Sequence, residues 1–235
     1  MPCFNIPMPV MLDSILVHSP TSLDVLVALR KEILRGKLEP GIHLKKADLA
    51  LQYGISRGSV SQALNKLEME GLVESEENGR VKVIGITEKD VIDMFDIRLL
   101  LEKKAMEILR NQEYVDYSSL IKVMNDMKAE NDRGRDADPV EMAHLGFKLH
   151  VAMFRMSGNR AIFHAWRGAS GLMQEIININ GSHVPAEETY RKHKILSDCI
   201  IQKWDNGVQI IEEHLMAGSR DVYLEALANI KHKAE

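Results

Sequence analysis

The sequence predicts a mainly α-helical chain of two domains, the first ending in a β-hairpin and the second an antiparallel bundle of six helices. A length of 235 residues suits two domains. Aromatic residues make up 5% of the chain, so Leu, Ile, Met and Ala carry most of the apolar content, which favours helix packing. The hydrophobic period changes from helical to alternating after Gly71 and becomes helical again from Thr87, which divides the chain.

The first domain begins with three predicted helices. Thr21 and Asp24 have the spacing of a capping box, and Gly36 is placed to end the helix that they open. The segment KKADLALQYG predicts a short second helix that closes at Gly54, and Ser56 caps a third. The apolar residues expected on the inward face of this third helix are Val60, Ala63, Leu64 and Leu67.

A β-hairpin is predicted after these helices. The β-prone runs LVESE and RVKVIG are joined by ENGR, in which Asn78-Gly79 is a hairpin signal. The earlier segment LEPGIHL is interpreted as a turn around Pro40-Gly41. Three helices and a hairpin within residues 21–85 predict a winged helix-turn-helix, preceded by a flexible arm over residues 1–20.

The remaining residues, 86–235, show helical patterns and no further hairpin signal. A second capping box at Thr87 and Asp90 opens a long helix, and Asp138-Pro139 marks another strong helix start. The six predicted helices cover 88–110, 116–132, 139–158, 160–178, 186–203 and 205–231.

Charge is distributed unevenly along the chain. The net charge is −4, yet the stretch from Arg30 to Lys66 carries eight bases against three acids. Such a stretch can form a positive face on a protein of low net charge. The two cysteines fit no metal or disulfide framework, and no run reaches the roughly 18 apolar residues that a membrane helix needs. These features predict a cytoplasmic protein without membrane partners.

Several motifs resemble those of GntR-family transcriptional regulators of the FadR-like subgroup, over residues 20–231. They are LRKEILRGKLEPGIHL, ADLALQYGISRGSVSQALNKLEMEGLVE and NGRVKV in the first domain, and DMFDIRLLLEKKAMEIL and FKLHVAMFRMSGN in the second. The resemblance implies a homodimer, a palindromic double-stranded DNA operator and an all-helical effector-binding (FCD-type) domain that takes a small carboxylate. It also implies a regulator that is not an enzyme.

The third helix is the predicted DNA-reading element, because a helix fits the major groove. Arg57 is expected either to bridge a guanine edge or to contact a phosphate. Ser56 and Ser59 could donate to phosphate, whereas Gln62 faces either a base edge or solvent. Where relatives usually carry an arginine, this chain has Ser61. This serine predicts weaker electrostatic binding to the DNA backbone and altered sequence specificity.

Other basic residues of the first domain are candidates for contacts outside the recognition helix. Arg35, Lys45 and Lys46 are candidate backbone anchors, with ordinary exposed bases as the alternative. Arg80 at the tip of the wing could enter a minor groove. Three neighbouring acids would oppose this approach unless they face away, namely Glu74, Glu76 and Glu77.

Three histidines lie on different predicted helices of the bundle, at His150, His193 and His214. Neutral imidazoles that converge can bind zinc or nickel, although spacing alone does not bring these three together. The resemblance implies convergence, with an aspartate as a fourth ligand one turn before His150. Gly146 occupies that position here. The expectation is a three-histidine metal site; the alternative is a metal-free pocket in which the histidines bind the ligand directly.

Two further residues are candidate effector contacts. Arg98 lies in an apolar run, where it could hold a carboxylate through a forked contact or pair with Glu102 one turn later. Asn159 matches a family position, but its place after Gly158 also suits a helix cap.

An effector-responsive regulator is the leading functional interpretation. One alternative is a degenerate ligand sensor with little DNA binding, to which the serines at 59 and 61 and the acidic wing lend support. Another is a three-histidine metal-dependent enzyme, which would leave the wing unexplained.

Overall fold

The computed structural model describes residues 20–180, 184–216 and 219–234. Nearly all of the predicted arm, residues 1–20, lies outside these ranges. The described chain is mostly helical, with one small sheet, and this confirms the predicted fold class.

The winged domain follows the predicted order of elements. They are α1 (Ser22–Leu34), β1 (His43–Leu44), α2 (Lys46–Tyr53), α3 (Arg57–Met69), β2 (Val73–Ser75) and β3 (Val81–Val83). The Thr21–Asp24 capping box is formed at the start of α1, and Gly54 closes α2 in the left-handed conformation, with φ of 65°. All four apolar residues predicted for the inward face of α3 are buried. Local signals therefore set the limits of these helices.

The sheet contains one strand more than the predicted hairpin. The segment interpreted as a turn also includes β1, which pairs antiparallel with β3 and gives the strand order β1-β3-β2. Leu44 is buried and lies opposite Val81, while His43 lies opposite Lys82. A strand of two residues is too short to show an alternating pattern, so its pairing depends on tertiary contacts that the local sequence does not reveal.

The bundle is built from α4 (Glu88–Asn111), α5 (Ser118–Asn131), α6 (Pro139–Met156), α7 (Arg160–Asn180), α8 (Ala186–Gln202), α9 (Gly207–Met216) and α10 (Arg220–Ala234). The Thr87–Asp90 capping box opens α4, and Asp138 caps α6 through the backbone N–H of Val140. Helix α4 packs against α7, α9 and α10, while α6 packs against α5, α7 and α8.

The predicted sixth helix is wrong in one respect, because its residues form the two helices α9 and α10. Gly218 lies between them in sequence, and glycine has a low helix propensity. The Ser219 hydroxyl donates to the carbonyl of His214, near the end of α9. A carbonyl bonded in this way is satisfied where the helix stops.

The winged domain and the bundle meet where α1 packs against α7. Arg30 of α1 donates two hydrogen bonds to Glu70, at 2.8 and 2.5 Å, and its Nη1 lies 3.9 Å from Oε1 of Glu175 on α7. The hydrogen bond with Glu70 is the main reason that the pKa of Arg30 is raised. Because Glu70 is the C-terminal cap of α3, these three residues link the recognition helix to the bundle.

Candidate functional site

The first turn of α3 exposes one long side chain, that of Arg57. Arg57 and Gln62 are exposed and make no side-chain hydrogen bond or ion pair with any described residue. Ser61 is half-buried, and Gly58 adds no side chain to this face. Arg57 is thus the one guanidinium in the first turn of the helix, free to approach a base or a phosphate.

Ser56 and Ser59 bond to each other at the start of α3. Ser56 Oγ accepts the backbone N–H of Ser59 at 3.0 Å, and the two hydroxyls lie 2.9 Å apart. One hydroxyl hydrogen is used between them, so the pair keeps one O–H for a phosphate. The cap and the proposed DNA contact are compatible.

The candidate backbone anchors lie near the helix termini of the winged domain. Arg35 is the C-terminal cap of α1, and Lys45 is the N-terminal cap residue of α2, with Lys46 next to it. Lys45 has one weak partner, Asp48, at 3.8 Å and exposed to solvent, while Arg35 is exposed. These positions remain predicted contacts.

Arg80 lies at the tip of the wing, close in sequence to three acids. Glu74 pairs with Lys82 at 3.1 Å, and Glu76 lies 3.2 Å from His43 on β1. The hydrogen bond from His43 lowers the pKa of Glu76. Two of the three acids named above are therefore partnered, while Arg80 is exposed at the hairpin tip.

The three predicted histidines converge in the bundle. His150 of α6, His193 of α8 and His214 of α9 are buried, and each offers a ring nitrogen within 4.8 Å of the others. The Nε2 atoms of His150 and His214 are 3.2 Å apart. Two nitrogens bound tetrahedrally to zinc at roughly 2.0–2.1 Å lie about 3.3 Å apart. The donor set thus fits a divalent metal.

Neighbouring groups orient two of these imidazoles. His193 Nδ1 donates to the backbone carbonyl of Thr189 at 2.7 Å, which leaves Nε2 as the free donor atom for a metal. His150 Nδ1 lies 2.7 Å from Oε2 of Glu102, an ion-pair distance, although the two groups are not aligned as a regular hydrogen bond. His214 Nδ1 is buried and has no hydrogen-bond partner among the described residues.

Burial keeps two of the histidines in the form that binds metals. It lowers the pKa of His193 to about 3, with His150 as a further cause. It also lowers the pKa of His214 well below its ordinary value, with His193 and His150 adding to the effect. Both imidazoles are accordingly neutral at neutral pH, as metal coordination requires.

Gly146 lies directly beneath the His193 ring. A Cβ added at this position would be 2.6 Å from His193 Nε2 and 2.7 Å from its Cε1. An aspartate at 146 would therefore displace the ring, and the missing side chain is what allows His193 its present position.

Arg98 pairs with Glu102, and its contact with an effector carboxylate stays a prediction. Its Nε and Nη2 bond to Glu102 Oε1 at 3.0 and 2.9 Å, and it also lines the cavity beside the histidines. The same Oε1 accepts the indole N–H of Trp166 at 2.8 Å. Burial alone would raise the pKa of Glu102, but His150 and Arg98 outweigh it and lower that pKa to about 2. Arg98 Nη1 faces the sulfur of Met173 at 3.8 Å, a weak acceptor that leaves donors for a ligand.

Asn159 and His144 have structural partners outside the cavity. Asn159 Oδ1 accepts the backbone N–H groups of Ala161 and Ile162, so it caps α7, and its contact with an effector stays a prediction. The His144 ring contacts Asn178 and is not part of the cluster that the other three histidines form.

The histidines and Arg98 line a cavity with about 80 Å³ open to the centres of water molecules. One buried water needs roughly 10–15 Å³ of such space, so a metal and a small acid fit. Sequence reasoning missed Lys192, Thr189 and Tyr223 on the cavity wall. The place of Lys192 beside His193 was a usable signal, whereas Thr189 acts on His193 through its backbone and leaves no signal in the sequence.

Comparison with known proteins identifies both domains. Residues 21–83 match the model described as bacterial regulatory proteins of the gntR family, and residues 93–217 match the FCD domain. The chain belongs to the GntR family of regulators that carry an FCD domain.

Relatives of known sequence agree with this family. The uncharacterized HTH-type transcriptional regulator YdhC of Bacillus subtilis (strain 168) is 25% identical over 85% of this chain and 88% of its own length. The gluconate operon transcriptional repressor of the same organism is 30% identical over 69% of this chain and 65% of the repressor, just under two thirds. A putative GntR regulator from Rhodococcus sp. RHA1 shares the fold, with a TM-score of 0.58 at 17% identity over 88% of this chain and 97% of that one.

The protein is thus a DNA-binding transcriptional regulator with an effector-binding domain. The family consists of regulators, which confirms this interpretation over the three-histidine enzyme. Within the described residues, no helix has the length and apolar character to cross a bilayer.

Proposed function

We propose that this regulator, of the FadR-like subgroup, binds a palindromic operator as a homodimer and changes its operator affinity when its bundle cavity is filled. The cavity takes a divalent metal, zinc or nickel, together with a small carboxylate effector. The observation that carries this proposal is the convergence of three buried imidazoles from three helices beside the guanidinium of Arg98. Metal coordination uses the neutral imidazoles, and Arg98 suits a carboxylate.

The outer face of α4 supports the proposed dimer. Ile97 and Leu100 lie one turn apart and are 48% and 66% exposed, on the side opposite the buried Arg98 and Glu102. Large apolar side chains grouped on a helix face favour burial against another surface, and a second copy is the commonest partner.

Metal content tests the cavity directly. We expect about one zinc or nickel ion per chain after mild purification or reconstitution, because three buried donors share one centre. His150→Ala removes one donor and should weaken metal binding by at least about tenfold. Elemental analysis and titration calorimetry measure both quantities.

His144→Ala is the matched control, since His144 lies on the same helix but outside the cluster. It should bind metal like the wild type. Wild-type protein that holds no stoichiometric metal under any of these conditions would exclude the metal site and leave the metal-free pocket.

The contact between α1 and α7 is the proposed route from cavity to DNA. On α7, Met173 contacts Arg98 and Ile177 lines the cavity, while Glu175 faces Arg30. A shift of α7 on ligand binding would therefore move Glu175 relative to Arg30, and through Arg30 it would change the position of Glu70 at the end of the recognition helix.

Arg30→Met should uncouple metal binding from DNA binding. The quantity to compare is the ratio of the operator Kd with saturating zinc to the operator Kd without zinc. In Arg30→Met this ratio should be closer to one than in the wild type by a factor of about 2–30, which corresponds to a loss of 0.5–2 kcal/mol of coupling free energy. Fluorescence anisotropy with labelled promoter DNA measures this ratio. Lys103→Met removes an ion pair with Glu212 that joins two helices of the bundle at its surface, away from the winged domain, and should leave the ratio as it is. An unchanged ratio in Arg30→Met would exclude this route.

A further inference from the structure

The wall of the histidine cavity carries positive and neutral groups but no acid. Besides the three histidines, its charged residues are Arg98 and Lys192, and no aspartate or glutamate is among the described residues that line it. The remaining wall is apolar or bears hydroxyl groups, including Phe147, Ile177 and Tyr223. A dication held here would have neutral protein ligands alone.

The carboxylate buried behind the cavity wall, that of Glu102, is already engaged. Glu102 is fully buried behind the wall, and its Oε1 accepts from Arg98 and Trp166 while Oε2 faces His150. Turning this group towards a metal would leave Arg98 without its counter-ion in a buried position, which is costly. Glu102 therefore positions His150 and does not serve as a spare ligand.

Gly146 closes the other route by which the chain could supply a carboxylate. It lies one turn before His150 on α6, and the His193 ring occupies the space into which its side chain would extend. Any side chain at 146 would meet Nε2 of His193 at 2.6 Å. The described chain consequently leaves the coordination shell of a bound metal to be completed from outside.

The charges around the cavity indicate what kind of ligand completes the coordination shell of a bound metal. Arg98 is balanced by Glu102, and Lys192 by Glu188 at 2.7 Å, so the two positive charges of a bound metal stay uncompensated. Uncompensated charge in a buried site is strongly unfavourable. A ligand with two negative charges would neutralise it.

The two cations lie at different depths. The Arg98 side chain is 5% exposed, with Nη1 facing the Met173 sulfur, whereas the Lys192 side chain is 26% exposed. Arg98 is thus placed to bind the end of a ligand that reaches the metal. Lys192 is placed to bind the other end, nearer the mouth of the cavity.

We propose that the effector is a dicarboxylate that binds together with the metal as one unit. This inference rests on the metal-dependent function proposed above. One carboxylate completes the coordination of the metal next to Arg98, and the other is held by the ammonium group of Lys192. Binding of the metal then raises the affinity of the protein for the dicarboxylate, and binding of the dicarboxylate raises the affinity of the protein for the metal by the same factor.

Zinc titration of the whole chain by calorimetry tests this coupling. It is carried out in three buffers of equal ionic strength, which contain succinate, acetate or neither acid. Succinate should tighten the Kd for zinc by about tenfold or more, and acetate by no more than about threefold, within the usual range of coupling between sites. Equal zinc affinity in all three buffers would overturn the inference while the metal site stands. Equal effects of acetate and succinate would overturn the dicarboxylate class. Absence of zinc binding in every buffer would instead refute the metal-dependent function and this inference with it.

A charge variant tests whether Lys192 binds the second carboxylate of the effector. Lys192→Met should reduce the succinate enhancement to the level of acetate, because it removes the cation near the mouth. Lys194→Met is the matched control, since Lys194 lies on the same helix, pairs with Asp198 and is exposed outside the cavity. It should retain the full enhancement. Full enhancement in Lys192→Met, with thermal unfolding like that of the wild type, would exclude Lys192 as the second anchor.

Discussion

Glu102→Ala is expected to lower the free energy of unfolding of the bundle by about 3–5 kcal/mol, the usual cost of leaving a buried charge without its partner. Glu102 is fully buried and accepts hydrogen bonds from Arg98 and Trp166. Its removal leaves the Arg98 guanidinium, in a residue that is 4% exposed, without a counter-ion and the indole N–H without an acceptor. Urea unfolding followed by circular dichroism and tryptophan fluorescence measures the loss.

Two companion variants separate charge from packing. Glu107→Ala lies on the same helix, but its ion pair with Lys104 is exposed, so the loss should stay below about 1 kcal/mol. The double variant Arg98→Met with Glu102→Leu removes both charges and should be less destabilised than Glu102→Ala. A loss below about 1 kcal/mol in Glu102→Ala itself would contradict the assigned role of this buried network.

Arg57→Ala is expected to abolish the retardation of the protein's own promoter DNA at concentrations that saturate the wild type. A forked guanine contact contributes about 1–3 kcal/mol, and the proposed dimer would carry two copies, so the expected loss is about 2–6 kcal/mol. This corresponds to an affinity at least about 30-fold weaker. Gel retardation and fluorescence anisotropy at several salt concentrations measure it.

The Arg57 contact is resolved further by Arg57→Lys, which keeps the charge but loses the fork. Restored binding would indicate a phosphate contact, and continued loss a base contact. Ser61→Arg should raise affinity and steepen the salt dependence by about one phosphate contact per chain. Unchanged DNA binding by Arg57→Ala would refute the assigned recognition helix and favour the degenerate sensor.

Local signals made much of the fold predictable from the sequence. The capping boxes at Thr21 and Thr87, the left-handed Gly54 and the Asn78-Gly79 turn act through near neighbours in the chain, and each appears as expected. Strand β1 depends on a partner distant in sequence, β3, which no local pattern reveals. The division of the last helix is different, because Gly218 stands between α9 and α10 in the sequence and is a local signal that the prediction did not use.

The candidate site was predictable by residue but not by geometry. His150 and His214 are 64 positions apart, and the resemblance, not the spacing, implied that they meet. Of the two alternatives that the sequence offered for Arg98, the structure shows the pair with Glu102, and it places the same guanidinium on the cavity wall, where an effector contact stays a prediction. The approach of His193 to Gly146 depends on the packing of α8 against α6, which neither residue reveals alone.

The two capping boxes also bear on the order in which the protein is made. Each domain opens with its own threonine and aspartate, so α1 and α4 start from signals contained within four residues. Domains fold largely as units while the ribosome advances from the N-terminus. The winged domain is therefore synthesised in full before α4 emerges, so the recognition helix leaves the ribosome before any residue of the histidine cavity does.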